Sequence, residues 1–282
     1  MYLNHHAEII VKDIKKSINF YQNILGLNLV FHETMKNESR NIDIAKLSLG
    51  DESSYSHIKL IEQPNAPQHK TGYNDINAIS FRVPSNESLY YYAERLNQFD
   101  IVQYKLEKRN GHYVLPFRGP DHEELYLISN EQNIGLQTSI PADHSDINPI
   151  HQVSGLGPIY LTLSDPILTG SVFKELLQMK NSADYLIQGV ESRVHVFEMG
   201  GKGHGAEIHI ITDTKTKTAH GVGMIDHFAI QVEAHDDFIA LENRLNEIKL
   251  PYEKVNAEQY ESIFIRDMNK LLIEIVDNEP RE

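Results

Sequence analysis

One pattern occurs four times along this chain: an alternating apolar strand, a helix with an apolar face, and then further strands. The first strands of the four copies lie near His6, Ala78, Gly157 and His227, which are 72, 79 and 70 residues apart. A regular period of this kind is the signature of an internal repeat, in which each copy is one supersecondary unit. The sequence therefore predicts a fold built from four related strand–helix–strands modules.

Residues 6–64 show the module most clearly. The segment HAEIIV alternates as a half-buried strand does, and DIKKSINFYQNILGL has helical spacing and ends at Gly26, a common helix cap. IAKLSLGD and SHIKLIEQP follow as strands. Residues 136–153 are polar and carry two prolines, which predicts a linker. We therefore expect two domains, at residues 1–135 and 154–282, with two modules in each.

Charge and composition limit the partners and the chemistry of the chain. The net charge is -14 at pH 7 and no long basic run offsets it, so we do not expect a nucleic-acid partner. No apolar run is long enough to span a bilayer and the N-terminus does not resemble a signal peptide, so we expect a cytoplasmic protein without a membrane partner. The chain has no cysteine and 15 histidines, so any metal must be bound by histidine, carboxylate or backbone oxygen. The oligomeric state stays open, with a homodimer as one alternative.

The stretch from Met224 to Asp277 contains half of a candidate metal site. Its first strand places His227 on one face, and its last strand, LLIEIVD, places Glu274 within an apolar run. A buried carboxylate is costly unless it is paired, protonated or bound to a metal. A histidine and a glutamate on two strands of one module therefore indicate metal ligands, and the remaining ligands must come from another module.

Three segments resemble a known superfamily. HAEIIVKDIKKSINFYQNILGLNLV resembles the first module of the vicinal oxygen chelate superfamily, which includes glyoxalase I, fosfomycin and bleomycin resistance proteins and extradiol ring-cleaving dioxygenases. IDHFAIQV and YESIFIRDMNKLLIEIV resemble its metal-binding later module. The whole arrangement is most similar to the bacterial methylhydroquinone-induced proteins that are proposed to be ring-cleaving dioxygenases. The resemblance implies an α+β fold of four βαβββ modules, paired into two domains whose U-shaped mixed sheets enclose a metal.

The resemblance also implies that each module offers one ligand position on its first strand and one on its last. Modules 2 and 3 have lost their first-strand ligands, whereas modules 1 and 4 keep His6, His227 and Glu274. We therefore expect module 1 to pair with module 4 around one metal, with no metal between modules 2 and 3. His5 is the alternative to His6. The positions carried over are His6, Ala78, Gly157 and His227 on the first strands, and Lys59, Tyr126, His209 (or Glu207) and Glu274 on the last strands.

The ligand set implied in this way favours one metal and one reaction class. Two imidazoles and one carboxylate with open positions suit non-haem Fe(II), with Mn(II) or another divalent metal as the alternative. Isomerases of the glyoxalase type have a second carboxylate where this chain has Lys59, and an ammonium group cannot bind a metal. The open positions can then take substrate and O2, which favours ring cleavage. A register shift of two residues would place His57 there instead.

The expected function is therefore an Fe(II)-dependent extradiol-type dioxygenase, an oxidoreductase of aromatic compound degradation. Its expected partners are O2 and a small aromatic substrate, a catechol or a hydroquinone. We expect Tyr260 to hydrogen-bond a substrate oxygen, and His195 and His209 are candidates for a nearby acid or base. By residue type alone, Tyr260 can equally be a packed aromatic residue, and histidines such as His195 and His209 are more often structural. The alternatives are a glyoxalase-like isomerase or thiol transferase, and a resistance-type protein that sequesters an aromatic compound.

Overall fold

The computed structural model describes residues 3–36, 41–52, 54–143, 145–187, 192–256 and 260–277, and the strands within these residues form two eight-stranded sheets. Each of the four modules contributes four strands. In chain order the strands are β1 (Leu3–Val11), β2 (Asn28–Lys36), β3 (Asn41–Ser48), β4 (His57–Glu62), β5 (Asp75–Val83), β6 (Glu107–Arg109), β7 (His112–Arg118), β8 (Glu124–Ser129), β9 (Leu156–Leu163), β10 (Lys180–Leu186), β11 (Arg193–Glu198), β12 (Glu207–Thr212), β13 (Ile225–Gln231), β14 (Tyr252–Asn256), β15 (Glu261–Arg266) and β16 (Leu272–Asp277).

A helix follows the first strand of each module. Gly26 ends the first of them with a φ of 79°, a left-handed conformation that glycine adopts without strain, so the predicted cap is confirmed. Among the described residues, no helix combines the length and the apolar character needed to cross a membrane. The helices are α1 (Ile14–Asn19) with a π-helical turn at Phe20–Ile24, α2 (Asn86–Gln98), α3 (Pro166–Ser171) with a π-helical turn at Val172–Leu176, and α4 (His235–Ile248), besides a short 3-10 turn at Gly203–Ala206.

Module 1 pairs with module 4, and module 2 pairs with module 3. The strand order is β14-β15-β16-β13-β1-β4-β3-β2 in the first sheet and β10-β11-β12-β9-β5-β8-β7-β6 in the second. At the centre of the first sheet β1 runs antiparallel to β13, and each is flanked by a parallel strand, β4 and β16. Strands β5, β9, β8 and β12 take the corresponding places in the second sheet. The predicted fold of paired modules is thus confirmed.

The division into domains at residues 1–135 and 154–282 stays a prediction, and each sheet takes half of its strands from each range. Residues 136–153, predicted as a linker, contain no helix or strand where the structure describes them. This segment is nevertheless packed against the fold. The fully buried Arg82 donates hydrogen bonds to the carbonyl groups of Leu136 and Gln137, at 2.8 and 3.1 Å.

Strand alternation separates an apolar face from a polar face in the first sheet. Ala7, Ile9 and Val11 of β1 enter the main hydrophobic core, whereas His6 and Glu8 point to the opposite face. The main core contains residues from both sheets, from helices α1, α2 and α4, and from the π-helical turn that follows α3. The polar face of the first sheet therefore carries the side chains that the sequence suggested as ligands.

Candidate metal centre

Three buried side chains from three strands meet on the polar face of the first sheet. His6 comes from β1, His227 from β13 and Glu274 from β16, and each is at most 4% exposed. Oε2 of Glu274 lies 2.9 Å from Nε2 of His6 and 3.2 Å from Nε2 of His227. Atoms that bind one metal at right angles to each other lie about 3 Å apart. The three side chains that the sequence singled out are thus close enough to share a metal.

Strand register explains why these side chains converge. Ala229 of β13 is the direct partner of His6 on one side and of Glu274 on the other. His227 lies two residues before Ala229 and therefore points to the same face. Because Ala229 has only a methyl group, it leaves the space between the three larger side chains open.

The protonation of His6 and Glu274 fits a metal site. Burial and the nearby Lys59 ammonium lower the pKa of His6 to about 3, so its imidazole is neutral at neutral pH. Burial alone would raise the pKa of Glu274, but its contacts with His227 and His6 hold that pKa well below the usual value. Metal ligands need a neutral imidazole and an ionised carboxylate. His6 and Glu274 are in these forms, whereas His227, whose pKa is about 9, must release a proton when it binds a metal.

Nε2 of His6 lacks a hydrogen-bond partner among the described residues although it is buried. Its approach to Glu274 is short but does not have the alignment of a hydrogen bond. The other ring nitrogen of His6, Nδ1, forms a hydrogen bond with Nδ1 of His5 at 2.9 Å, and the tautomers decide which of the two donates. When His6 donates that proton, a lone pair on Nε2 faces the Glu274 carboxylate, an arrangement that a cation between them would stabilise. The donor set therefore fits a divalent metal.

His227 is oriented by a second carboxylate. Its Nδ1 hydrogen-bonds Oδ2 of Asp226 at 3.2 Å, while its Nε2 points to Glu274. Burial lowers the pKa of His227, but the hydrogen bonds to Asp226 and Glu274 outweigh it and raise the pKa to about 9. A carboxylate on the outer nitrogen of a histidine ligand fixes the ring and its tautomer in many metal sites. Asp226 is a residue of this kind that the sequence analysis did not identify.

Two further histidines border the cluster. A β-bulge in β1 between Asn4 and His6 turns His5 toward the same region as His6, although neighbouring strand residues normally point apart. The His57 ring stacks on His6 with 4.7 Å between centroids, and Nε2 of His57 is buried without a partner among the described residues. His5 and His57 form a second close group with His6, but neither belongs to the group that contains Glu274. The geometry therefore favours His6 over His5 in the candidate ligand set.

The register of β4 places a lysine where a fourth ligand would come from. Glu8 lies two residues after His6 on β1, and its partner on β4 is Lys59. In the same way, Ala229 lies two residues after His227 on β13, and its partner on β16 is Glu274. Lys59 is thus the counterpart of Glu274, and His57 is not. The predicted register at this position is confirmed.

A cavity of about 500 Å³ opens beside the cluster, and we call it the first cleft. His6, His57, Lys46, Lys59 and Tyr260 are among the residues that line it. Burial, with the charges of Glu274 and Glu8, raises the pKa of the Tyr260 hydroxyl, so that it keeps its proton. Tyr260 therefore lies where a bound molecule could accept its hydrogen bond.

The two other predicted acid or base residues are not in the first cleft. His195 lies on β11 of the second sheet, where its Nδ1 contacts Oδ1 of Asp184 at 2.8 Å near the surface. His209 lies on β12 and lines a different cavity, also in the second sheet. The structure does not bring either residue to the cluster of His6, His227 and Glu274.

The second sheet repeats the frame of the first with different residues. In the first sheet, Ala229 is the strand partner of His6 on one side and of Glu274 on the other. In the second sheet, Tyr160 has the same place between Ala78 and His209. The counterpart of His227 is therefore Pro158, two residues before Tyr160, and not Gly157 as predicted. The same register selects His209 over Glu207 as the counterpart of Glu274.

Comparisons with known proteins agree with this architecture. Residues 4–125 match the model of the Glyoxalase/Bleomycin resistance protein/Dioxygenase superfamily. The chain is 25% identical over 280 residues to "Putative ring-cleaving dioxygenase MhqA" of Bacillus subtilis, covering 98% of this chain and 87% of that protein. It is 21% identical to "Putative ring-cleaving dioxygenase MhqO" of the same organism, covering 98% and 84%.

Solved structures show the same fold along almost the whole chain. The crystal structure of a putative dioxygenase from Bacillus subtilis aligns with a TM-score of 0.80 at 18% identity, over 98% of this chain and 85% of that one. Glyoxalase I from Zea mays aligns with a TM-score of 0.69 at 14% identity, over 98% and 92%. These structures therefore share the fold of this chain, and the match to the superfamily model covers residues 4–125.

Proposed function

We propose that this protein is an Fe(II)-dependent extradiol-type dioxygenase that opens the ring of a catechol or hydroquinone. The observation that carries the proposal is the buried set of His6, His227 and Glu274, with Lys59 in place of a fourth ligand. Two relatives that carry the name "Putative ring-cleaving dioxygenase", similar over 98% of this chain, support it.

His6, His227 and Glu274 are the residues that would bind the metal. Two imidazoles and one carboxylate are the donor set of non-haem Fe(II) oxygenases, and Mn(II) is the nearest alternative. Bound there, Fe(II) would supply open coordination positions for substrate and O2 and a route for electrons between them. Ring cleavage by O2 places both oxygen atoms in the product, so it needs no added reductant.

The side chains of the first cleft can prepare the substrate. A catechol or hydroquinone must lose at least one hydroxyl proton before it reacts. Burial, with the neighbouring His6 and His5, lowers the pKa of His57, so its imidazole is neutral and can accept a hydrogen bond from a substrate hydroxyl. The ammonium groups of Lys46 and Lys59 would stabilise the resulting anion, and the Tyr260 hydroxyl would donate a hydrogen bond to a substrate oxygen.

Oxygen consumption tests the proposal directly. Protein loaded with Fe(II) in the absence of air would be mixed with O2 and a panel of catechols and hydroquinones, while O2 uptake and loss of the aromatic absorbance are followed. We expect one O2 to be consumed for each ring that opens.

A pair of matched variants identifies the site. Glu274→Gln removes the anionic ligand at nearly constant volume, so we expect it to abolish O2 uptake. Glu253→Gln makes the same change at an exposed position on β14 of the same sheet and should leave the rate within about twofold of wild type. Bound metal with isomerase activity and no O2 uptake would instead identify a glyoxalase-like enzyme. Aromatic binding without metal would identify a sequestering protein.

A further inference from the structure

The second sheet contains a cavity of about 760 Å³, which we call the second cleft. It lies on the corresponding face of the second sheet. Of its lining residues, Tyr126 is the counterpart of Lys59 in the first cleft, and Tyr160 and His209 are the counterparts of Ala229 and Glu274 beside that cleft. Arg109 and Tyr185 also line it. The second cleft is therefore a built cavity with its own set of polar and aromatic residues, and not merely a lost copy of the first.

The histidine of the second cleft is committed to protein hydrogen bonds. Nε2 of His209 lies 3.1 Å from Oε2 of Glu207, and Nδ1 lies 2.9 Å from the hydroxyl of Tyr185. The contacts with His209 hold the pKa of Glu207 below its usual value against the effect of burial, so this carboxylate is ionised and accepts the Nε2 proton. Nδ1 of His209 then carries no proton and accepts a hydrogen bond from the Tyr185 hydroxyl. Within the described residues, no group of ligands close enough to share a metal includes His209.

The second cleft presents a buried hydroxyl group without a partner. Tyr160 is 4% exposed, and its hydroxyl makes no hydrogen bond to any described residue. Burial raises the pKa of Tyr160 far above its usual value, so the hydroxyl stays protonated. A buried donor without an acceptor is destabilising, and native proteins rarely leave one. This hydroxyl can therefore donate a hydrogen bond to an acceptor that enters the cleft.

A cation stacked on two aromatic rings lies beside this hydroxyl group. The Arg109 guanidinium carbon lies 4.1 Å from the centre of the Tyr126 ring and 4.9 Å from that of Tyr160. Burial alone would lower the pKa of Arg109, but Tyr126, Tyr160 and Glu107 together raise it, so the charge is permanent. Its Nε atom pairs with Oε1 of the more exposed Glu107, at 2.6 Å. A guanidinium recognises planar anions, and flat rings favour a flat ligand.

The geometry points to the second cleft as a metal-free binding site for a small aromatic acid. The carboxylate of such a ligand would accept hydrogen bonds from Tyr160 and Arg109, and its ring would pack against the tyrosine rings. Lys215 adds a second positive side chain to the lining. The lining carboxylate Asp213 already accepts a hydrogen bond from the Lys215 backbone N–H at 2.8 Å. This site goes beyond the proposed function, because it requires neither metal nor catalysis.

Calorimetric titration of the full-length protein with benzoate tests the inference. We expect one saturable site per chain, with acetate and benzyl alcohol each binding at least about tenfold more weakly, because each lacks the ring or the charge. Arg109→Gln should weaken benzoate binding by about tenfold, which corresponds to about 1.4 kcal/mol. Tyr160→Phe should weaken it by about three- to tenfold through loss of the unpartnered donor.

Matched controls separate this site from other effects. Arg118 lies on β7 of the same sheet, is also paired with a glutamate and lies over a tyrosine ring, but it does not line the cleft. Arg118→Gln should therefore change the affinity by less than about twofold. Tyr113→Phe, at an exposed position, is the control for Tyr160→Phe. Glu274→Gln should leave benzoate binding intact, since it alters only the first cleft.

Three results would overturn the inference. The first is the absence of saturable benzoate binding up to about 10 mM, where even a weak site would be seen. The second is an equal loss of benzoate affinity in Arg109→Gln and in its control Arg118→Gln. If Arg109→Gln does not fold, the same comparison is made between Tyr160→Phe and its control Tyr113→Phe. The third is a loss of benzoate binding in Glu274→Gln, which would place the ligand in the first cleft. None of these results bears on O2 uptake, so the proposed function and this site can fail independently.

Discussion

Replacing Ala229 with leucine is expected to abolish metal binding while the fold remains intact. Ala229 is fully buried, and it is the strand partner of both His6 and Glu274. Beside it, Oε2 of Glu274 lies only 2.9 Å from Nε2 of His6 and 3.2 Å from Nε2 of His227. Carbon atoms pack no closer than about 3.5 Å, so the three added carbons of leucine must displace ligand atoms by about 1 Å. A metal site tolerates changes of only about 0.2 Å in its distances.

Ala7→Leu is the matched control for this variant. Ala7 is also fully buried and lies on β1 opposite Phe228, but its side chain enters the apolar core on the other face of the same sheet. Overpacking by leucine costs about 1–3 kcal/mol at either position. Both variants should therefore lose similar stability in the metal-free state, and only the variant at Ala229 should lose the metal.

Urea unfolding with and without Fe(II) measures this difference. At a free metal concentration about 100 times the Kd, binding adds about 2.7 kcal/mol to the free energy of unfolding. We expect this increase, and one metal per chain by elemental analysis, for the wild type and for Ala7→Leu. We expect neither for Ala229→Leu. Metal affinity in Ala229→Leu equal to that of the control would refute the view that His6, His227 and Glu274 share one metal beside Ala229.

Three further predictions concern other parts of the structure. Tyr260→Phe should keep the metal but slow O2 uptake by about 10²–10⁴-fold if its proton is used in catalysis, and an unchanged rate constant would exclude that role. Arg82→Leu should lower the free energy of unfolding in urea by about 2–4 kcal/mol, because two linker carbonyls lose their buried donor; a loss below 1 kcal/mol would contradict this. Burial raises the pKa of Glu123 to about 7, so the unfolding free energy should fall by about 3 kcal/mol as pH rises from 4.5 through 7. Glu123→Gln should flatten that pH dependence, and an unchanged slope would assign it to other groups.

The sequence predicted most of the fold and the candidate ligands because both depend on local patterns. Strand alternation and the repeat period identified four modules, and the structure confirms their pairing. The spacing of His227 and Glu274 within one module located two ligand candidates, since β13 and β16 are neighbouring parallel strands. Lys59 was placed correctly because β4 has the same relation to β1.

Other features depend on contacts that no local pattern reveals. All eight residues of β9 are buried, so no alternation distinguishes its two faces, and the predicted position Gly157 was wrong by one residue. The His-His pair gave no sign of the bulge that brings His5 beside His6. His57 reaches the cluster only through the parallel pairing of β1 with β4. His195 and His209 have the right residue type, but they belong to the other sheet.

The two clefts differ most at one row of three side chains across the central strands. In the first sheet the row reads His6, Ala229, Glu274, and in the second it reads Ala78, Tyr160, His209. A small residue in the middle leaves room between two ligand atoms, whereas a tyrosine in the middle fills that room and offers a hydroxyl instead. Under the two proposals, the same backbone frame presents a metal donor set on one sheet and an organic-ligand donor set on the other. On this view the size of the middle residue decides the chemistry of each cleft, which is why Ala229→Leu is the variant that tests it most directly.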